Sequence, residues 1–207
     1  MANENFRELE QRTKIIAEAI EALLREKIGI FKILDENLVP EGLKPIARSF
    51  SWIMEQITIQ NLRRYKTEFG IEEVDDPPHG LTQYDCIIKM KNDNIPYFLN
   101  LKTSLTVTKS SGRFDISKAR KLIHLYQENP DMVLLVAIIK VDLDNVWVRF
   151  SNAIVFNVAW IPDIYYNRAN HNLQCRANGA QIFRTNDDFV SELEHQLGNA
   201  GHLEHYS

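Results

Sequence analysis

The run DMVLLVAIIKVDL, residues 131–143, constrains this chain more than any other feature. A strand with one wet face alternates apolar and polar residues, whereas this one is apolar almost throughout and rich in Val and Ile. That is the pattern of a central strand covered on both faces. It is too short to cross a membrane, which takes about 20 apolar residues, and no other run approaches that length. A doubly covered strand needs a layer on each side. The expected fold class is therefore α/β, a mixed central sheet flanked by helices. At 207 residues the chain is long enough to bury such a core as a single domain.

The surrounding sequence supplies the layers. Residues 4 to about 27 carry Phe6, Leu9, Ile16, Ala19, Ile20, Leu23 and Leu24 among charges, which predicts a helix with a narrow apolar stripe. Its stripe is a candidate dimer element. After Gly29, Pro40, Gly42 and Pro45, a second helix is expected from Ser49 or Ser51 to Phe69, stopped by Gly70, with EEVDDPPHG as a loop. TQYDCIIKM, the turn KNDN and IPYFLNLKTSL read as a β-hairpin. TVTKSSGRFD reads as turn-rich, and ISKARKLIHLYQE as a helix ended by Asn129 and Pro130. VWVRF and AIVFNVAWI are expected as separate strands, residues 165–178 as a polar loop, and a last helix begins near Thr185 or Asn186. The expected organisation is a helical segment over 1–48, a core over 49–150, and strands, a loop and a helix over 151–207.

A net charge of −4 argues against a protein that coats nucleic acid, yet the distribution is uneven. Lys102, Lys109, Arg113, Lys118, Arg120 and Lys121 face one acid, Asp115, in residues 102–121, either a basic face or an ordinary solvated helix surface. The N-terminus shows no export signal, so a cytoplasmic location is expected. Cys86 and Cys175 lack the spacing of a zinc site or disulfide framework and read as buried thiols. GxxxxGK[ST], GxGxxG after a strand, and a nucleophile elbow to accompany His171 are all missing.

The hairpin holds the chemistry. Asp85 starts one strand, and Asn100-Leu101-Lys102 lies on the returning one, where period two puts Asn100 and Lys102 on one side and Leu101 on the other. Two oxygen ligands and an ammonium would meet there, a plausible Mg²⁺ site, since that ion takes hard oxygens and activates water against a phosphodiester. Asp85 with Asn100-Leu101-Lys102-Thr103-Ser104 resembles the PD-(D/E)xK nuclease superfamily, especially type II restriction endonucleases whose second half reads Asp-Ile-Lys-Thr-Thr. The resemblance covers roughly residues 50–140 and implies a restriction endonuclease-like core. It implies Asp85 as bridging metal ligand, Lys102 on the attacking water, and a helix-borne glutamate, matched by Glu55. The family has an acid where this chain has Asn100, and Tyr84, not proline, precedes Asp85. Three explanations are open for Asn100: a ligand set of Asp85, Glu55 and the Leu101 carbonyl, a weakened enzyme or pseudo-enzyme, or an exchanged acid. Glu55 would interrupt the stripe Trp52, Ile59, Leu62 and Phe69, and would take either a metal or an ion pair with Arg48 or Arg63.

The implied activity is Mg²⁺-dependent hydrolysis of a specific double-stranded DNA sequence by a homodimer, palindromic sites mirroring two-fold symmetry. The alternatives are a junction resolvase or repair nuclease, or an inactive DNA-binding protein on the same fold. DNA contacts are expected from Thr103, Ser104, Lys109, Arg113 and Lys118. Asn167, Arg168, Asn170, His171, Asn172 and Gln174 of the polar loop are of the types that read base edges, although an ordinary surface loop would look similar.

Overall fold

The computed structural model describes residues 2–43, 47–78, 82–106, 113–176 and 181–199. The central run is strand β6 (Val133–Asp144), and Val133 through Ile139 are all buried. It pairs in parallel with β4 (Pro96–Leu105) and antiparallel with β7 (Trp147–Asn157). With β1 (Ile30–Lys32), β2 (Ile71–Asp75) and β3 (Cys86–Met90) they form a six-stranded mixed sheet ordered β1-β7-β6-β4-β3-β2. The mixed α/β architecture agrees with the expected fold class.

Each face of β6 belongs to a different core. Leu135, Ala137 and Ile139 join the core under α1 (Ala2–Ala22) and α2 (Ala47–Tyr65), while Leu134, Val136 and Ile138 join the core under α3 (Ala119–Glu128) and α4 (Asn186–Asn199). A second sheet of β5 (Arg113–Lys118), β9 (Asn172–Arg176) and β8 (Tyr165–Asn167) shares the latter core through Ile116, Leu173, Cys175 and Tyr166. No described helix is long and apolar enough to cross a membrane.

Several elements differ from expectation. The stripe of α1 and of the π-helical turn Leu23–Ile28 that continues it is spent inside the chain: Ile16, Ile20, Leu23 and Leu24 are fully buried, so it is not held out for a second copy. The supposed loop after Gly70 contains edge strand β2, whose acids Glu73 and Asp75 ion-pair with Lys89 of β3. Its charges disguised an alternation that begins at Ile71 and returns at Val74. VWVRF and AIVFNVAWI form one strand, β7, ended by the 3-10 turn Val158–Trp160. Residues 113–118, expected as turn and helix start, are β5, and the helix begins only at Ala119. The polar loop is the β8–β9 hairpin, with Leu173 and Cys175 buried beneath polar alternates; its residues 177–178 lie outside the described ones. On α2 the buried stripe is Phe50, Met54, Thr58, Ile59 and Leu62, so Ile59 and Leu62 are core as expected, while Glu55 is half-buried at its edge and Trp52 exposed.

The hairpin is as expected, Cys86 opposite Leu99 and Lys89 opposite Pro96. Its turn is anchored to α1. Asp93, with Asn92 at φ 60 before it, accepts from the Ile95 N–H (2.9 Å) and the Tyr97 hydroxyl (2.8 Å) and ion-pairs with Arg12 (2.5 Å). The last helix carries a reciprocal cap at Thr185: its Oγ1 accepts from the Asp188 N–H (3.1 Å), and the Asp188 carboxylate accepts from the Thr185 N–H (3.2 Å).

Candidate active site

Strand β3 begins one residue after Asp85, so beyond that point the β3-facing edge of β4 would lack a partner. Asp85 fills the gap. Its N–H donates to the Leu99 carbonyl (2.7 Å), and its carboxylate accepts from the Leu101 N–H (2.6 Å). A side chain thus replaces the next rung of the ladder, and the carboxylate is fixed in the plane of the sheet where the strands part.

Two groups approach from opposite faces. Leu99, Leu101 and Leu105 of β4 point into the core under α2, so alternation turns Asn100 and Lys102 to the other side. Glu55 comes from α2. Helix and sheet bring these charges within reach of one another: burial pushes the Glu55 carboxyl up, the neighbouring Asp85 pushes it further, and Lys102 opposes both. Burial likewise raises Asp85, opposed by the Leu101 hydrogen bond and by Lys102. Two acids held up by burial, one of them raised further by the other, with an ammonium beside them, form an arrangement that a cation relieves.

Of the two ion pairs expected as alternatives for Glu55, the one with Arg63 is not formed. Arg63 is engaged elsewhere, with the Val74 carbonyl (3.0 Å) and Asp76 (2.8 Å), and the Arg48 side chain lies outside the described ones.

Asn100 is 4% exposed, and its amide is oriented by what surrounds it. Nδ2 donates to the Gln83 carbonyl (2.7 Å) and more weakly to the Ile116 carbonyl of β5 (3.4 Å), so exchanging N and O would set oxygen against oxygen. Gln83 in turn bonds the Ser117 hydroxyl through its side chain. The amide therefore ties the segment before β3, and strand β5, to β4. Its Oδ1 is buried with no hydrogen-bond partner, as is Thr103 Oγ1 on the same strand. An acceptor-only oxygen that is buried and unused is what a hard cation or a water on that cation takes up.

The residues fit a magnesium-type ion in part. Asp85 and Glu55 offer carboxylate oxygens and Asn100 a neutral one, while the described residues contain no group of three or more His, Cys, Asp or Glu suited to a metal. Mg²⁺ characteristically keeps several waters and uses one or two carboxylates plus substrate phosphate, so a pair of acids is compatible with it where zinc would require more.

The expected DNA-contacting residues divide into groups. Thr103 and Ser104 continue β4 past Lys102, both half-buried, and Lys109 lies outside the described residues. Arg113 is committed to Asp163 (3.3 Å) and stacks over the Tyr165 ring (4.6 Å); Lys118 donates to the Asn170 carbonyl. In the β8–β9 hairpin, Asn167 and Asn170 accept from the N–H groups two residues on, at Ala169 (3.0 Å) and Asn172 (3.1 Å), which builds the turn. Asn170 and Gln174 donate to Asp115 (3.4 and 2.6 Å), and His171, at φ 56, shares a 2.7 Å hydrogen bond with the Tyr166 hydroxyl. Arg168 is exposed at the tip, and Asn172 is half-buried on β9. These side chains hold the hairpin's shape as well as offering donors, a role that single-sequence reading missed because it took the segment for a loop.

No protein-family model matches the chain, and no curated protein matches it by sequence.

Proposed function

We propose that the protein is a metal-dependent DNA endonuclease, most concretely a type II restriction endonuclease that hydrolyses a phosphodiester within a specific duplex sequence. The observation that carries this reading is the convergence of Asp85, Glu55 and Lys102 from a strand end, a helix and the neighbouring strand, close enough that Asp85 and Lys102 both act on the Glu55 carboxyl. Mg²⁺ held by Asp85, Glu55, the free Asn100 Oδ1 and the Leu101 carbonyl would neutralise charge on the scissile phosphate and acidify a bound water. Asp85, fixed by the Leu101 N–H, supplies a carboxylate that does not need to reorganise. The Lys102 ammonium orients the attacking water and stabilises the negative charge that develops. Thr103 and Ser104 offer hydroxyls to the adjoining phosphate, and the β8–β9 hairpin offers Arg168, Asn172 and Gln174 to base edges. A palindromic site would call for a homodimer, formed by a surface other than the buried stripe of α1.

One observation favours a second reading, a catalytically inactive DNA-binding protein on the same fold: the Asn100 amide donates to two carbonyls that an acid in its place would repel. Incubating the protein and its Lys102→Ala variant with unmethylated plasmid and phage DNA in Mg²⁺ or Mn²⁺ tests both. Discrete fragments from the parent and none from Lys102→Ala support the endonuclease; binding without cleavage in either metal supports the inactive protein. Cutting of four-way or flapped DNA alone points to a junction resolvase or repair nuclease.

A further inference from the structure

Trp52 is 67% exposed, whereas Trp160 is buried at 1% and Trp147 donates its indole N–H to Glu36 (3.0 Å). An indole is the largest apolar side chain, and leaving it in water is informative when it sits beside a reactive site. Trp52 does. It precedes Glu55 by three positions on α2, one helical turn along the same face, where side chains are neighbours.

The direction of the helix places it further. Helix α2 leads through a 3-10 turn and Gly70 into β2, whose first residue, Ile71, pairs with Met90 beside the hairpin turn, and whose last, Asp75, pairs with Ile87 near Asp85. The C-terminal end of α2 therefore lies at the turn end of the sheet and its N-terminal end at the Asp85 end. Moving from Glu55 to Trp52 continues outward past the carboxylates, toward the end of the sheet at which Lys102, Thr103 and Ser104 continue β4. Among the described residues no aromatic ring stacks on Trp52, in keeping with its exposure.

We infer that Trp52 is a stacking platform for a nucleobase adjoining the scissile phosphate, a base that has left the duplex stack. The inference rests on the nuclease reading above and specifies its substrate further. Phosphate is drawn to the cation and ammonium, and the base attached to the next sugar reaches only a few ångströms beyond them. An indole can cover a base only when that base's face is free, which in a duplex requires flipping, kinking or an unpaired end. The substrate is then DNA that is locally unpaired at the cut, either from the outset or because binding opens it.

The test is equilibrium binding with Ca²⁺ in place of Mg²⁺ to hold back turnover, using plain duplex, splayed-arm duplex and single-stranded oligonucleotides, and the splayed-arm duplex with abasic sugars in its arms. Indole emission is followed, with Trp52→Phe subtracting the other two tryptophans, and far-UV circular dichroism checks folding. Emission from Trp52 is expected to be quenched on binding. Trp52→Ala is expected to bind splayed-arm DNA at least about tenfold more weakly, Trp52→Tyr to recover most of that, and the abasic oligonucleotide to abolish the difference between parent and Trp52→Ala. A parent that binds DNA with Trp52 emission unchanged, or a Trp52→Ala protein that binds as tightly as the parent or loses equally on abasic DNA, overturns the stacking role and leaves the nuclease reading standing. A parent that binds none of these DNAs with either cation sinks the nuclease reading and this inference with it.

Discussion

Replacing Asn100 by aspartate is nearly isosteric, and in a nuclease of the proposed kind it would restore the usual acid, yet the surroundings of Asn100 make it a costly change. Nδ2 faces the Gln83 and Ile116 carbonyls at 2.7 and 3.4 Å, in a site 4% exposed. A carboxylate oxygen there loses two hydrogen bonds, each worth about 1 kcal/mol, and meets two acceptors instead of a donor. An uncompensated buried charge brings the total to roughly 3–5 kcal/mol, a large share of the roughly 5–15 kcal/mol that holds a domain together. The introduced acid is disfavoured as an anion, so its pKa in the folded state is raised. The folded form then binds a proton that the unfolded form releases, and stability falls as pH rises through that window. Urea unfolding at about pH 7 without divalent cations is expected to show the full loss, and at about pH 4.5 about half of it, because a protonated carboxyl donates to one carbonyl. Mg²⁺ should restore Asn100→Asp more than it stabilises the parent if Oδ1 faces the ion. A variant as stable as the parent at pH 7 without metal would refute the anchoring role of the amide.

Mg²⁺ at ten times its dissociation constant should stabilise the parent by about 1.4 kcal/mol, a rise in melting temperature of roughly 3–6 °C by calorimetry. Glu55 and Asp85 both titrate above the ordinary carboxylate range, so the metal-free protein should lose stability as pH rises through that interval, and the Mg²⁺ increment should grow over the same interval, since the ion binds the ionised acids. Under the endonuclease reading, Lys102→Ala should lower the single-turnover cleavage rate by roughly 10²–10⁴-fold with DNA affinity nearly unchanged; equal loss of affinity would assign the lysine to binding. Arg168→Ala, at the exposed tip of the β8–β9 hairpin, should relax sequence preference in a selection from random duplexes while melting as the parent does. Thr185→Ala removes the cap of α4 and should cost about 1 kcal/mol in urea titration.

The parts legible in the sequence are those with strong local period. The 133–144 run, the 86–105 hairpin and the helices carry their own apolar pattern, and so does the placement of Asp85 and Lys102 at the parting strands. The stripe that points to Glu55 is right at Ile59 and Leu62 and wrong at Trp52, which imitates a core residue that it is not. The small second sheet was invisible. Its strands are three to six residues long, and its polar positions are occupied by side chains that bond one another, as Asn170 and Gln174 do with Asp115. Nothing local says that Asn100 reaches carbonyls seventeen and sixteen residues away, which depends on where β5 docks.

The doubly covered strand also sets the order in which the chain can be made safe. Leu135, Ala137 and Ile139 are sheltered by helices already synthesised, whereas the core that Leu134, Val136 and Ile138 share with the earlier α3 is completed only by Phe189, Leu193 and Leu197 of α4, some fifty residues later. During synthesis that core thus stays incompletely covered until almost the whole chain has emerged. A truncation before α4 would leave that core open beside α3 for good, and the shortened protein should be recovered in aggregates while full-length chains stay dispersed.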